Sequence, residues 1–332
     1  MSAPPADALL GHATETIRVG SKSFAAAAKL FDADMRRSVL MLYAWCRHCD
    51  DVVDGQQLGP DAVPQAQHDA AAQVARLREQ TRRAYAGEPQ AEPAFAAFQE
   101  VALRHAIAPH HAFDHLAGFA MDAEDARYET IDDTLRYCYH VAGVVGLMMA
   151  SIMGARDDAV LDRACDLGLA FQLTNIARDI VEDARIGRCY LPAAWLRDAG
   201  IPAGTGAVAD DAHRAALARV AARLVEHAEP YYDSALDGIA ALPLRSAWAI
   251  ATARRVYRQI GVVVRHRGAH AWDTRAGTSK ATKLRLLALG GIDALASRFR
   301  TPGTRPARLW RRPGAPGPRL AADRHAAHAA GA

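Results

Sequence analysis

Two acidic clusters lie far apart in this chain of 332 residues: Asp50-Asp51-Val-Val-Asp54 and Asn175-Ile-Ala-Arg178-Asp179-Ile-Val-Glu182-Asp183. Each sets carboxylates four residues apart inside a helical pattern, so like charges share one helix face. Such a pair costs a few tenths of a kcal/mol and brings no packing gain. Its occurrence in two segments implies that something outside the chain neutralises it, and a divalent cation has the right charge and hardness.

Tyr43, Arg47, Asp50 and Asp54 follow at spacings of four, three and four, which makes one polar stripe. Gln172, Asn175, Asp179 and Asp183 make a second, with Arg178 and Glu182 beside it. Carboxylate and amide oxygens are hard ligands for Mg²⁺ or Mn²⁺, and Mg²⁺ commonly bridges one or two carboxylates to phosphate oxygens. Arg47, Arg178 and Lys22 can add charge-assisted hydrogen bonds to the same anion. A lone acidic pair is ordinarily a solvated face. Here Val39, Leu40, Leu42 and Val53 on one segment, and Leu167, Leu169, Phe171, Leu173, Ile176 and Ile180 on the other, mark both helices as buried. Buried carboxylates need partners.

The elements that must position these stripes are helical. Helical periodicity predicts helices at 6–30, 34–54, 68–86, 92–106, 109–122, 132–154, 157–184, 211–238, 243–266 and 279–299, with Pro109 and Pro243 in first turns and Asp132 and Asp157 as N-caps. Gly55–Gln67, Gly87–Pro93 and Gly200–Asp210 read as loops. No fixed-period repeat and no long linker divides them, so a single all-α domain over residues 1–299 is expected. Residues 300–332, rich in Pro, Arg, Gly and Ala, are expected to be a disordered basic tail. From Arg298 onward there are eight Arg and one Asp, a local +7 that leaves −4 on the remainder of a chain with net charge +3.

Hydrophobic residues make up 51% of the chain, enough for a sizeable core and against disorder. Five cysteines without an apolar leader argue for free thiols in a reducing cytoplasm. The longest apolar run, Val141–Gly154, is shorter than the ~18–20 residues of a membrane span. Its Gly143, Gly146, Met148 and Met149 suit either core packing or the wall of a cavity.

Four segments together resemble the squalene and phytoene synthase family: Ser21-Lys-Ser-Phe24; Tyr43-Ala-Trp-Cys-Arg47-His-Cys-Asp50-Asp51; Tyr137-Cys-Tyr-His-Val-Ala-Gly-Val-Val-Gly146; and Leu167-Gly through Gln172, Asn175, Arg178, Asp179, Glu182 and Asp183 to Arg188, Tyr190 and Pro192. The resemblance spans roughly Leu9 to Leu295 and is very close to the bacterial phytoene-forming members. It implies an isoprenoid synthase fold, all-α around a central cavity, with two aspartate-rich helices facing across the mouth.

By motif position, the resemblance implies that Asp50, Asp54, Asn175, Asp179 and Asp183 hold about three Mg²⁺ or Mn²⁺ ions. Ser21, Lys22, Arg47, Gln172 and Arg178 would contact diphosphate, while Phe24, Tyr43, Tyr190 and Tyr257 would line the reacting region. Gly20 departs from relatives that carry His there. The implied reaction joins two geranylgeranyl diphosphates head to head, through a cyclopropylcarbinyl diphosphate, into phytoene, a step towards carotenoids. The alternative is a dehydrosqualene- or squalene-type synthase using farnesyl diphosphate. A rival of another class is a non-catalytic helical scaffold with solvated acidic faces.

Other signals are set aside. Gly204-Thr-Gly206-Ala-Val-Ala209 fits a loose dinucleotide pattern but follows no strand, so it is taken as a flexible loop and no NADPH is expected. Cys46-x-x-Cys49 sits mid-helix without a second pair and is read as small core-facing side chains. His111 and His115 are read as surface histidines. No phosphate-loop motif explains an ATP effect, and no nucleic-acid partner is expected. An apolar product and the basic tail with Leu309, Trp310 and Leu320 lead to an expected peripheral site on the inner membrane face, where a downstream desaturase would take the product.

Overall fold

The computed structural model describes residues 6–20, 22–53, 70–123 and 126–315, and among them there is no β-strand. The predicted helix 6–30 is seen as α1 (Ala6–Gly20) and α2 (Lys22–Ala28), on either side of Ser21, which lies outside the described residues. They precede α3 (Ala33–Val53), which carries the first acidic cluster. Then come α4 (Ala70–Tyr85), α5 (Pro93–Arg104) and α6 (Pro109–Ala123). Pro93 opens α5, where a missing N–H has no partner to lose. These helices enclose a core in which Trp45 stacks on Phe98 with ring centroids 4.0 Å apart, beside Phe95, Leu42 and Leu116.

α7 (Ile131–Cys138) begins at Thr130 rather than at the expected cap Asp132. The Thr130 side chain accepts the Asp133 N–H while the Asp133 carboxylate takes the Thr130 N–H. A hydroxyl with an acid three residues later satisfies two end donors at once, which a lone Asp132 cannot. The helix continues through a π-helical turn, Tyr139–Gly143, into α8 (Val144–Ile152). This continuous helix, Ile131–Ile152, is long and apolar enough to cross a bilayer by length and composition, yet most of it is buried inside the fold. It is a core helix.

α9 (Asp158–Arg185) is capped by Asp157 as predicted, through the N–H groups of Ala159 and Val160. It carries the second acidic cluster. Two short helices, α10 (Ala193–Asp198) and α11 (Thr205–Ala209), follow; the second occupies the expected flexible loop and buries Val208 in the core. α12 (Arg214–Gly238), α13 (Leu244–Arg267) and α14 (Lys280–Ala296) complete the bundle. α9 packs against α8, α12 and α13. Its approach to the π turn needs glycine: a Cβ on Gly168 would lie 2.6 Å from the Ala142 carbonyl carbon, and one on Gly146 would reach 3.0 Å from that of Ala164. Backbone meets backbone there, leaving the interior beyond open.

The expected disordered tail is packed for the part that the structure describes. Leu309 is buried and Trp310 lies 5.4 Å from the Tyr139 ring. Arg305 pairs with Asp166, and Arg312 with Asp158 and Asp162, all on α9. Composition pointed to disorder because Arg and Pro rarely build a core; here three aspartates spaced four apart along α9 offer the arginines a matching ladder. Residues 316–332, including Leu320, lie outside the described residues.

Candidate active site

A cavity of about 1210 Å³ opens between α3 and α9, with α2, α6, α8 and α13 as further walls. It exceeds the roughly 300–1,000 Å³ of ordinary small-ligand pockets. Tyr43, Arg47 and Asp50 reach it from α3; Gln172, Asn175, Arg178, Asp179 and Asp183 from α9; Phe24 from α2, Tyr257 from α13, and Tyr190 from the loop after α9. The two stripes read from the sequence therefore meet at one space. Asp54 and Ser21 lie outside the described residues, as does the Lys22 side chain.

The charged end is a set of arginine–carboxylate pairs. Arg47 bridges Asp50 at 2.9 Å and the buried Asp51 at 2.6 Å. Arg178 donates from Nε to Asp179 at 2.8 Å, and Arg275 reaches the same carboxylate at 3.1 Å. Asp183 is pushed up to about 7, first by burial and then by repulsion from Asp179 and Glu182. The Asn175 amide nitrogen donates to Gln172 at 3.2 Å, while its buried carbonyl oxygen Oδ1 has no hydrogen-bond partner. An unpaired buried amide oxygen, on the same cavity-lining helix as a carboxylate that burial and its acidic neighbours push towards its protonated form, suits a hard cation. Among the described residues, however, no three His, Cys, Asp or Glu side chains converge. The described members of the expected set, Asp50, Asn175, Asp179 and Asp183, do not close a cage; an ion there would complete its shell with further oxygens, from water or phosphate.

Beyond the charges is an aromatic box. Tyr257 stacks on Phe171 at 4.3 Å and on Phe24 at 5.2 Å, with Tyr43 6.4 Å from Phe24. Burial pushes the Tyr43 phenol up to about 12, so it stays a neutral donor. The Tyr43 hydroxyl occupies the space a Cβ on Gly20 would need, so a larger residue at 20 must displace it. Deeper walls are aliphatic, including Val141, Val145, Met149 and Ile239.

Four contributors were missed in the sequence. Asp122 accepts hydrogen bonds from Tyr190 at 3.0 Å and Tyr137 at 3.1 Å, whose rings stack at 4.5 Å. Its signal was a lone carboxylate seven residues after His115 on the same face of α6. Phe171 was read only as core, although it sits beside Gln172. Arg275 lies between α13 and α14, where no periodicity marks it, and Lys283 is in the first turn of α14, a helix that periodicity predicts but whose lysine carried no signal of a site.

The histidines expected at the surface are buried. The His115 ring pairs through Nδ1 with the His140 carbonyl at 3.2 Å, and burial lowers both His111 and His115 to about 4. They share the α6 face that turns inward, so helical position overrides their polarity. Cys46 and Cys49 are free thiols pushed up by burial, in keeping with small core-facing side chains.

The family model for squalene/phytoene synthase matches residues 17–285. The chain is 63% identical over 305 residues to the 15-cis-phytoene synthase of Pantoea ananas, covering 92% of this chain and 98% of that one. It is 52% identical over 300 residues to the 15-cis-phytoene synthase of a Paracoccus species, covering 90% and 96%. Its fold is similar to the crystal structure of a dehydrosqualene synthase with ligand, at TM-score 0.76 and 26% identity, covering 88% of this chain and 98% of that one.

Proposed function

The chain belongs to the squalene/phytoene synthase family, with its all-α isoprenoid synthase fold, and we propose that it joins two geranylgeranyl diphosphates head to head into phytoene. The observation that carries this reading is the pairing, in one large cavity, of an arginine- and carboxylate-lined mouth with an aromatic box and an aliphatic interior. A prenyl diphosphate has the same two ends.

Arg47, Arg178 and Arg275 would draw in the diphosphate, exchanging a carboxylate partner for phosphate oxygens in a bidentate grip. Asn175, Asp179 and Asp183 on one wall and Asp50 on the other would hold Mg²⁺ or Mn²⁺, about three ions in all, together with Asp54 as the family resemblance implies. Bound there, the metal would neutralise charge developing on the departing diphosphate. The faces of Phe24, Phe171, Tyr43 and Tyr257 would stabilise the allylic cation without offering a strong nucleophile to trap it. The cation would add to the double bond of the second prenyl chain, held along the aliphatic wall, and loss of a proton from the new cation would close the ring of a cyclopropylcarbinyl diphosphate. A second ionisation, rearrangement and proton loss would follow against aliphatic walls that offer the cation no nucleophile. Asp122 would fix Tyr190 and Tyr137 at the edge of this region.

The test is incubation of the purified chain with geranylgeranyl diphosphate, with and without a chelator. Diphosphate release that needs the divalent metal and is matched by a hydrocarbon product is expected. Release unaffected by the chelator, or none with metal present, overturns the reading.

A further inference from the structure

α14 is inside out for a helix on the surface of a water-soluble bundle. Its inner positions, Leu286, Gly290 and Ala294, are buried against α13, where a Cβ on Gly290 would crowd Thr252. Its outer face carries Leu284, Ala288, Ile292, Leu295 and, in the next turn, Phe299, at spacings of four, four, three and four. Four of these large side chains are 56 to 92% exposed, and Trp248 of α13 is partly exposed beside them. Scattered apolar residues on a surface need no explanation, but a continuous stripe along about four turns does.

The stripe has a basic rim. Lys280 and Arg285 are exposed along it, while the only acid of the helix, Asp293, is engaged by Arg255 at 2.5 and 2.6 Å. Lys283, next to Leu284, lines the cavity together with Arg275, so the stripe begins at the cavity rim. The segment after α14 is not available for the same task, because Leu309 is buried and Arg305 and Arg312 are paired with aspartates.

We infer that the outer face of α14 is a docking surface for an anionic phospholipid bilayer. An apolar face flanked by cations lies at the boundary of acyl chains and anionic headgroups. A second copy of this chain matches less well, since pairing two such faces would bring like charges together. On the proposed reaction, and only there, the placement gives a product without polar groups a route from the cavity rim into lipid.

The test is sedimentation of the full chain with vesicles of phosphatidylcholine, with and without phosphatidylglycerol, in the absence of substrate. Wild type should bind the anionic vesicles in a salt-sensitive way. Leu284→Glu with Leu295→Glu should weaken partitioning at least tenfold without lowering Tm, since both side chains are exposed. Lys280→Glu with Arg285→Glu should remove most of the salt sensitivity. Equal binding by wild type and the leucine variant overturns the inference. So does loss of binding only when residues 316–332 are removed, or a wild-type dimer that the leucine variant dissolves while vesicle binding persists.

Discussion

Arg305 holds the fully buried Asp166 through two hydrogen bonds, Nε to Oδ2 at 2.8 Å and Nη2 to Oδ1 at 2.7 Å. The Ser234 hydroxyl donates a third to the same carboxylate. Asp166 lies on α9 within two turns of Gln172, so the segment after α14 clamps the helix that carries half of the site.

Breaking a buried pair leaves an uncompensated charge and costs about 3–5 kcal/mol. Arg305→Ala, or truncation after Phe299, is therefore expected to lower the denaturation midpoint clearly. Truncation after Ala315 keeps the clamp and should not. Urea unfolding of the three proteins checks this; a stable chain ending at Phe299 would show that the packed segment is dispensable.

Asn175→Ala removes an amide oxygen that no protein group uses. The Mg²⁺ concentration for half-maximal activity should rise by on the order of 10–100-fold, with Tm nearly unchanged. A metal titration alongside thermal melting checks it. An unchanged titration curve would assign the buried oxygen to something other than the cation.

Gly168→Ala and Gly11→Ala should have opposite signs. The first pushes a methyl into the Ala142 backbone and should cost about 1–3 kcal/mol or more. The second meets nothing within 4 Å on an exposed helix face and should gain roughly 0.5–1 kcal/mol. Equilibrium unfolding of both variants decides it.

The helices and both polar stripes were legible because 3.6-residue periodicity survives in a buried bundle, and because carboxylates on apolar helices contradict burial unless they have a use. Asp122, Arg275 and the clamp were not. Asp122 is a single residue whose meaning depends on two tyrosines brought from elsewhere, and Arg275 lies where no period operates. Arg305 and Arg312 looked like a solvated basic run because their partners are more than a hundred residues away. His111 and His115 show the reverse error, in which polarity outweighed the face they occupy.

The buried histidines set an acid limit on stability. His115 titrates near 4 when folded and near 6.5 in its ordinary state, and burial lowers His48, His105, His111 and His227 in the same direction. The unfolded chain then takes up protons first, so this stability is complete above about pH 6.5 and is lost progressively as pH falls towards 4. Unfolding free energy measured from pH 7.5 to 5 should decline, and His115→Leu should decline less steeply than wild type. Parallel slopes would remove His115 from the account.

The most direct measurement is mass analysis of the hydrocarbon formed when geranylgeranyl and farnesyl diphosphates are supplied together in equal amounts with Mg²⁺. The C40 hydrocarbon phytoene, with a conjugated triene at the new junction, is expected to dominate. A C30 product in excess, or prenyl alcohols without a head-to-head hydrocarbon, would contradict it.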